Sequence, residues 1–352
     1  SSFSLLRGFQ VCYGSSSYGR WRVHSKMRAL VYVGEEQLDF REVVDPIVNS
    51  DEQLIKVDSA GICGSDMHAY LGHDERRPAP LILGHEASGI ILGGDRDGER
   101  VTINPLVTCK NCQACKAGRE NICPNRQIIS MAPREGTFAE MVSVPETNLV
   151  KVPSHVSLDK AALTEPLAVS WHAARLALEA LHPSMDRNVL IVGGGAIGLA
   201  SALAFKAMEI EKIIIVEPNS IRRKYLNDKC NVIAVEKVDQ FFSIVVDAVG
   251  FRQTRELASA KVSPGGVITH IGLGEDTGGI DVRRITLQEI NFIGTYTYTA
   301  GDFKNTAQAI FDGRLGPLDW IERRPLSEGN RAFREIREGK IASPKILLSP
   351  ND

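Results

Sequence analysis

Several features that would reveal a function at once are scarce in this sequence. Its 41 basic and 43 acidic side chains leave a formal charge of -2, and no run of lysine or arginine is long enough to follow a phosphate backbone. Nucleic acid is therefore excluded as an expected partner. Uncharged apolar runs of membrane-spanning length are also missing. The nearest, residues 189–205, carries four glycines and reads as a buried strand, a glycine turn and the start of a helix. No membrane association is expected. The seven cysteines come without a recognisable secretory signal, which points to thiols or metal ligands in a reducing, cytoplasmic setting rather than to disulfides. Acidic residues are absent from the first 26 positions, which are rich in serine, arginine and glycine. That stretch reads as a disordered leader or tail outside the fold. A mitochondrial targeting segment, an added leader and a translated region upstream of Met27 all fit it.

What is present points to two domains, because 352 residues exceed one ordinary core. From Met27 the patterning is mainly β, with strand-like segments at 28–33, 53–60, 82–92 and 100–103. Helical spacing appears at 158–181. Strand-like segments at 189–192, 212–216, 243–246, 266–271 and 290–293 follow, with helical ones at 196–208 and 254–260 between some of them. Such alternation implies an α/β fold with a doubly wound parallel sheet.

Cys109, Cys112, Cys115 and Cys123 form a C-x2-C-x2-C-x7-C cluster within one loop. Four thiolates at this spacing complete a tetrahedron with no open position, the arrangement of structural zinc. Disulfides and an iron-sulfur cluster are the alternatives; the first needs an oxidising compartment and the second finds no other sign of electron transfer. Cys12 and Cys230 read as incidental.

Gly193-Gly194-Gly195-Ala196-Ile197-Gly198 matches G-x-G-x-x-G. It follows the apolar strand 189–192 and opens an apolar helix, and Glu217 stands at the end of the next strand. Gly193, Gly195, Ala196, Ile197 and Gly198 are expected to admit a pyrophosphate to the helix N-terminus. Glu217 should accept hydrogen bonds from ribose hydroxyls and repel a 2'-phosphate, which favours NAD(H) over NADP(H). Arg222 and Arg223 could pair with that phosphate if Glu217 turned away. Val249, Ile271 and Gly272 end two later strands and are expected at the edge of the nicotinamide pocket.

Cys63 lies in Gly61-Ile62-Cys63-Gly64-Ser65-Asp66, and His85-Glu86 in Gly84-His85-Glu86-Ala87-Ser88-Gly89. With the cysteine loop and Thr164-Glu165-Pro166-Leu167, in this order, they resemble the zinc-containing medium-chain dehydrogenases. The likeness is greatest to the sorbitol and polyol dehydrogenase branch and covers Met27 to about Pro350. The resemblance implies a mainly-β GroES-like catalytic domain over 27–168, with its zinc-binding loop at 105–125. A Rossmann coenzyme domain over 169–300 and a return to the catalytic domain over 301–352 complete the expected order.

Two zinc ions per chain are likewise implied. One is held by the four cysteines. The other, catalytic, is held by Cys63 and His85, with Glu86 or Glu165 supplying the remaining protein oxygen directly or through water, and with Asp66 orienting a ligand. Ser65 and His68 occupy proton-relay positions, and Thr295 to Tyr298 lie where the family places groups near cofactor and substrate. The implied reaction is oxidation of a secondary alcohol or polyol to a ketone by hydride transfer to NAD, in a homodimer or homotetramer. Threonine, sugar and sugar-phosphate dehydrogenases share these motifs, as do relatives that have lost catalysis. A phosphate-bearing substrate would need cations near the zinc, for which Arg76 and Arg77 are the candidate pair.

Overall fold

Residues 26–352 are described by a computed structural model. The leader expected at 1–26 lies outside the described residues except for Lys26, which opens the strand Lys26–Gly34. That strand pairs with Gln37–Val44 and Leu81–Ile82 in a small antiparallel sheet. Gln37–Val44 was not anticipated from the sequence: Leu38 is its only buried residue, and the alternation of Leu38 and Phe40 with Asp39 and Arg41 stops at Glu42.

A larger sheet orders Leu149–Lys151, Arg100–Ile103, Glu86–Leu92, Glu52–Gly61, Lys345–Ser349 and Ile321–Pro325, with Met141–Pro145 pairing along Glu52–Gly61. The C-terminal strand Lys345–Ser349 thus lies beside Glu52–Gly61 in this sheet. Its apolar face closes over Leu30, Ile55, Ile91, Ile103, Phe138 and Phe333, all fully buried. Side chains of this size contribute about 1.5–3 kcal/mol each on burial.

Register in this sheet decides what meets at its end. Glu52–Gly61 runs antiparallel to Glu86–Leu92 with Gly61 opposite Glu86. Cys63 follows the first strand and His85 precedes the second, so both emerge at the same end of the ladder. On the other side of Glu52–Gly61, Leu347 stands opposite Gly61, and Ile62 N–H donates to Ile346 O at 3.0 Å. The C-terminal strand therefore arrives at the same place.

The helical pattern over 158–181 divides into Leu158–Ala161 and Thr164–Ala180. Pro166 lies in the first turn of the second helix, where its missing N–H has no intrahelical role. Glu165 is thereby fixed at that helix's N-terminal end. Beyond it, six parallel strands take the order Ala234–Val235, Lys212–Val216, Asn188–Val192, Phe242–Asp247, Val262–His270, Asn291–Gly294. In chain order that is 3-2-1-4-5-6, the doubly wound arrangement with its switch point between Asn188–Val192 and Phe242–Asp247. The third strand is only two residues long. The apolar stretch 189–205 falls on Asn188–Val192 and the helix Ala196–Ala207. Among the described residues no helix is long and apolar enough to cross a membrane.

The ladder that aligns Cys63 with His85 can be tested at Gly89, where an added Cβ would meet Lys56 O at 2.2 Å and Ile55 Cγ2 at 2.8 Å. Gly89→Ala is expected to cost about 1–3 kcal/mol through overpacking, read as a lower urea midpoint. An unchanged midpoint would mean that the two strands are not packed this closely.

Candidate active site

Asp66 is completely buried in the third position of the short helix Gly64–Tyr70. Its Oδ2 accepts Cys63 N–H at 2.9 Å, its Oδ1 accepts Gly84 N–H at 3.2 Å, and His85 Nδ1 lies 3.5 Å from Oδ1. Burial opposes its charge, but His85, the Arg77 charge and the Cys63 N–H hold the carboxyl below the usual carboxylate range. Ser130 Oγ lies 3.3 Å from the same imidazole nitrogen. With Nδ1 engaged, Nε2 is the nitrogen left for a ligand. The ligand atoms of Cys63, His85 and Glu86 all lie within 4.8 Å of one another. A thiol, an imidazole and a carboxylate at this separation suit a tetrahedral ion with bonds of about 2.0–2.3 Å and one position left over.

Two further buried groups close this site. Lys345 Nζ donates to Ile62 O at 2.8 Å and to Glu86 Oε1 at 3.0 Å, and lies 2.7 Å from Glu86 Oε2. Gly61 makes room for that carboxylate, since a Cβ there would sit 2.4 Å from Oε2. Glu165 accepts the Tyr298 hydroxyl at 2.9 Å. Burial, with the Glu86 charge adding to it, pushes the Glu165 carboxyl up to about 7, although His85, Tyr298 and Lys345 pull the other way. Glu86 and Glu165 thus face two buried bases, Lys345 and His85, the latter raised well above its usual value by Asp66 although burial opposes this; a divalent cation would take over from the imidazole proton in balancing the carboxylates. The donor set fits zinc.

The second cluster sits in its own lobe. Cys109, Cys112, Cys115 and Cys123 also bring their sulfurs within 4.8 Å of one another, with Cys123 Sγ 3.5 Å and Cys115 Sγ 4.0 Å from Cys109 Sγ. Backbone N–H groups of Asn111 and Cys112 point at Cys109 Sγ from 3.5 and 3.3 Å, and they bring its thiol down to about 6. Amides aimed at sulfur favour thiolate, the form that binds metal. These residues too fit zinc, in a closed site.

At the switch point, Gly193 turns with φ +100°, and an added Cβ on Gly198 would meet Gly193 O at 1.8 Å. Strand and helix thus approach as closely as the motif allows. Gly195 caps the helix Ala196–Ala207, and a Cβ built on it would meet nothing within 4 Å. Gly195, Ala196 and Ile197 therefore border open space at a helix N-terminus, a fitting cradle for a pyrophosphate. Glu217 is buried, accepting Gly194 N–H at 3.2 Å, Asn219 N–H at 2.8 Å and Arg222 Nη1 at 2.9 Å. Arg223 donates to Glu217 O and Pro218 O. Val249 lies over Gly193, and Gly272 packs on the Val249 backbone, with Ile271 beside it at the end of Val262–His270.

Ser65 is half-buried and His68 exposed on the helix Gly64–Tyr70, the His68 ring lying edge-on to His73 at 5.4 Å. Arg76 and Arg77, the candidate phosphate pair, are both engaged by Asp74 at 2.9 and 2.7 Å. Arg77 is buried and donates to Ser130 O. Neither is a free cation. Sequence reasoning missed Lys345 altogether, because a lone lysine directly after Ser343-Pro344 carries no signal of its own; only strand pairing brings it here.

The chain is similar to known dehydrogenases over most of its length. Residues 49–154 match the family model of the alcohol dehydrogenase GroES-like domain. The chain is 30% identical to a Saccharomyces cerevisiae protein named probable diacetyl reductase 2, (R)-acetoin forming, over 93% of this chain and 91% of the relative. It is 29% identical to probable D-xylulose reductase A of Arthroderma otae, over 90% of this chain and 95% of that one. A Sinorhizobium meliloti structure described as a zinc-binding dehydrogenase and bound to NADP is 25% identical. It superposes with a TM-score of 0.79 over 93% of this chain and all, 100%, of its own.

The raised Glu165 carboxyl sets a pH dependence in metal-free protein. Its folded value, about 7, exceeds the ordinary 4.5, so the folded state is fully favoured by this group below that ordinary value and loses stability as pH rises through about 7. Metal-free Glu165→Gln is expected to match wild type at the acid end and to exceed it increasingly up to pH ~7, levelling off above. Urea unfolding across that range measures it; a constant difference would contradict the burial of an ionisable carboxyl there.

Proposed function

The chain belongs to the zinc-containing medium-chain dehydrogenase superfamily, and on that premise we propose how its residues divide the work of oxidising a secondary alcohol or polyol to a ketone with a nicotinamide dinucleotide. Cys63, His85 and Glu86 hold the catalytic zinc, and Glu165 completes the acidic wall beside it. The observation that carries this reading is the meeting of thiol, imidazole and carboxylate within 4.8 Å at the end of one ladder. Zinc bound there supplies a Lewis acid for the substrate oxygen, and the dinucleotide supplies a hydride acceptor.

Asp66 and Ser130 fix the His85 ring through Nδ1. Lys345 pairs with Glu86 and offsets part of the acidic charge. Ser65 and His68 are three residues apart on one helix, hence on one face. The first is half-buried and the second exposed, which supports a route for the substrate hydroxyl proton from site to solvent, with an imidazole at its outer end. Cys109, Cys112, Cys115 and Cys123 hold a second, structural zinc.

For the cofactor, Glu217 supports NAD(H) over NADP(H). It is buried where ribose hydroxyls would arrive, and it already engages Arg222 at 2.9 Å, so that cation is not offered to a 2'-phosphate. Val249, Ile271 and Gly272 border the nicotinamide end. The commitment of Arg76 and Arg77 to Asp74 speaks for an unphosphorylated substrate. Association into two or four copies is supported by the open sheet edge Asn291–Gly294 with exposed Leu273, Val282 and Leu287 nearby.

Cys63→Ser is expected to lower NAD reduction with secondary alcohols and polyols by about a thousandfold or more, since Lewis-acid activation is lost. NADH binding, followed by fluorescence titration, should stay near wild type. Turnover within tenfold of wild type would sink this assignment.

A further inference from the structure

The cysteine lobe does more than close on its own metal: it grips the turn that carries Tyr298. That turn, residues 295–299, joins the strand Asn291–Gly294 to the helix Ala300–Phe311. Asn121 Nδ2 donates to Tyr296 O at 2.8 Å, across 175 residues of sequence. The Arg126 guanidinium lies 4.6 Å from the centre of the Tyr296 ring. Just past the turn, Ala300 N–H donates to Glu120 Oε2 at 3.2 Å. All three gripping residues flank a ligand of the lobe. Glu120 and Asn121 sit in the 3-10 turn directly before Cys123, and Arg126 Nη1 donates to Cys123 O at 3.2 Å.

The gripped turn would not keep this shape by local preference. Thr297 has φ +46°, a costly conformation for a β-branched residue, and its buried Oγ1 lacks a hydrogen-bond partner. Strain of this kind persists only where surrounding contacts over-determine it, and the lobe supplies contacts on both sides. One residue on, Tyr298 is almost wholly buried, its ring against Phe303 and its hydroxyl donating to Glu165 Oε1 at 2.9 Å. Aiming Tyr298 therefore aims Glu165.

We propose that Asn121 is a positioning residue for the active-site carboxylate: the metal-bound cysteine lobe, through Asn121, Arg126 and the Tyr296–Tyr298 turn, orients Glu165. This rests on the role of Glu165 in the site proposed above. Occupied by the Tyr298 hydroxyl, Oε1 has its direction fixed, which leaves Oε2 to face the catalytic site. Release of the turn frees Tyr298 to swing and Glu165 to rotate with it.

A double-mutant cycle on the zinc-loaded enzyme tests the coupling, with Asn121→Ala, Tyr298→Phe and the pair. Asn121→Ala is expected to lower kcat/KM for a secondary alcohol about tenfold, mostly in kcat, with both zincs retained; in the Tyr298→Phe background it should cost less than about twofold. Hydrogen exchange in a peptide spanning residues 292–303 should quicken in Asn121→Ala. The same tenfold cost in both backgrounds, or unchanged exchange and rate, would overturn the proposal. Should Asn121→Ala fold poorly, the exposed Arg126→Ala replaces it in the same cycle with the same criterion. Full activity in Glu165→Gln would instead remove the reading of the site on which the coupling rests.

Discussion

Asp66 holds together two segments that the chain keeps apart, and the candidate site depends on it. Its two oxygens take the N–H groups of Cys63 and Gly84 and lie against the His85 ring. A carboxylate buried without such donors would be costly, whereas charge-assisted hydrogen bonds of this kind are worth about 1.5–3 kcal/mol each. The carboxylate can therefore stay charged and buried only where both segments converge on it. The ladder between Glu52–Gly61 and Glu86–Leu92 brings them to one end; Asp66 then sets the distance between thiol and imidazole.

Charge organises the remainder. Cys63, Glu86 and Glu165 crowd a buried corner whose one lysine, Lys345, arrives on the C-terminal strand. The return of the chain to the larger sheet thus sets the charge of the candidate site as well as the fold. Glu165 comes from the helix Thr164–Ala180, at the passage toward the parallel sheet, and Tyr298 from the turn that leaves that sheet. Elements from both halves of the molecule consequently meet at the candidate site, beside the sheet whose switch point carries the glycine turn.

Local features were legible in the sequence by spacing, whereas distant ones were legible only through resemblance, as for Cys63, His85 and Glu165, or not at all. Four cysteines within one loop, a glycine turn between an apolar strand and an apolar helix, and Glu217 after the next strand all declare themselves by spacing. The helix Ser220–Lys229 buries only Leu226, so it shows no apolar stripe and went unread, as did the solvent-facing strand Gln37–Val44. Asp302 binds His172 and Arg175 at 2.5 and 2.7 Å from 130 and 127 residues away, and no pattern along the chain announces such a cluster. Lys345 and Asn121 belong to this second class. Arg76 and Arg77 show the converse: two adjacent cations looked available for a ligand until folding placed Asp74 against them.

The most direct test of the account is anomalous diffraction at the zinc edge from crystals of the purified protein. Two peaks per chain are predicted, one among Cys109, Cys112, Cys115 and Cys123 and one among Cys63, His85 and Glu86. A single peak at the four cysteines, in protein that still oxidises secondary alcohols, would contradict the assignment of catalytic zinc to the end of the Gly61–Glu86 ladder.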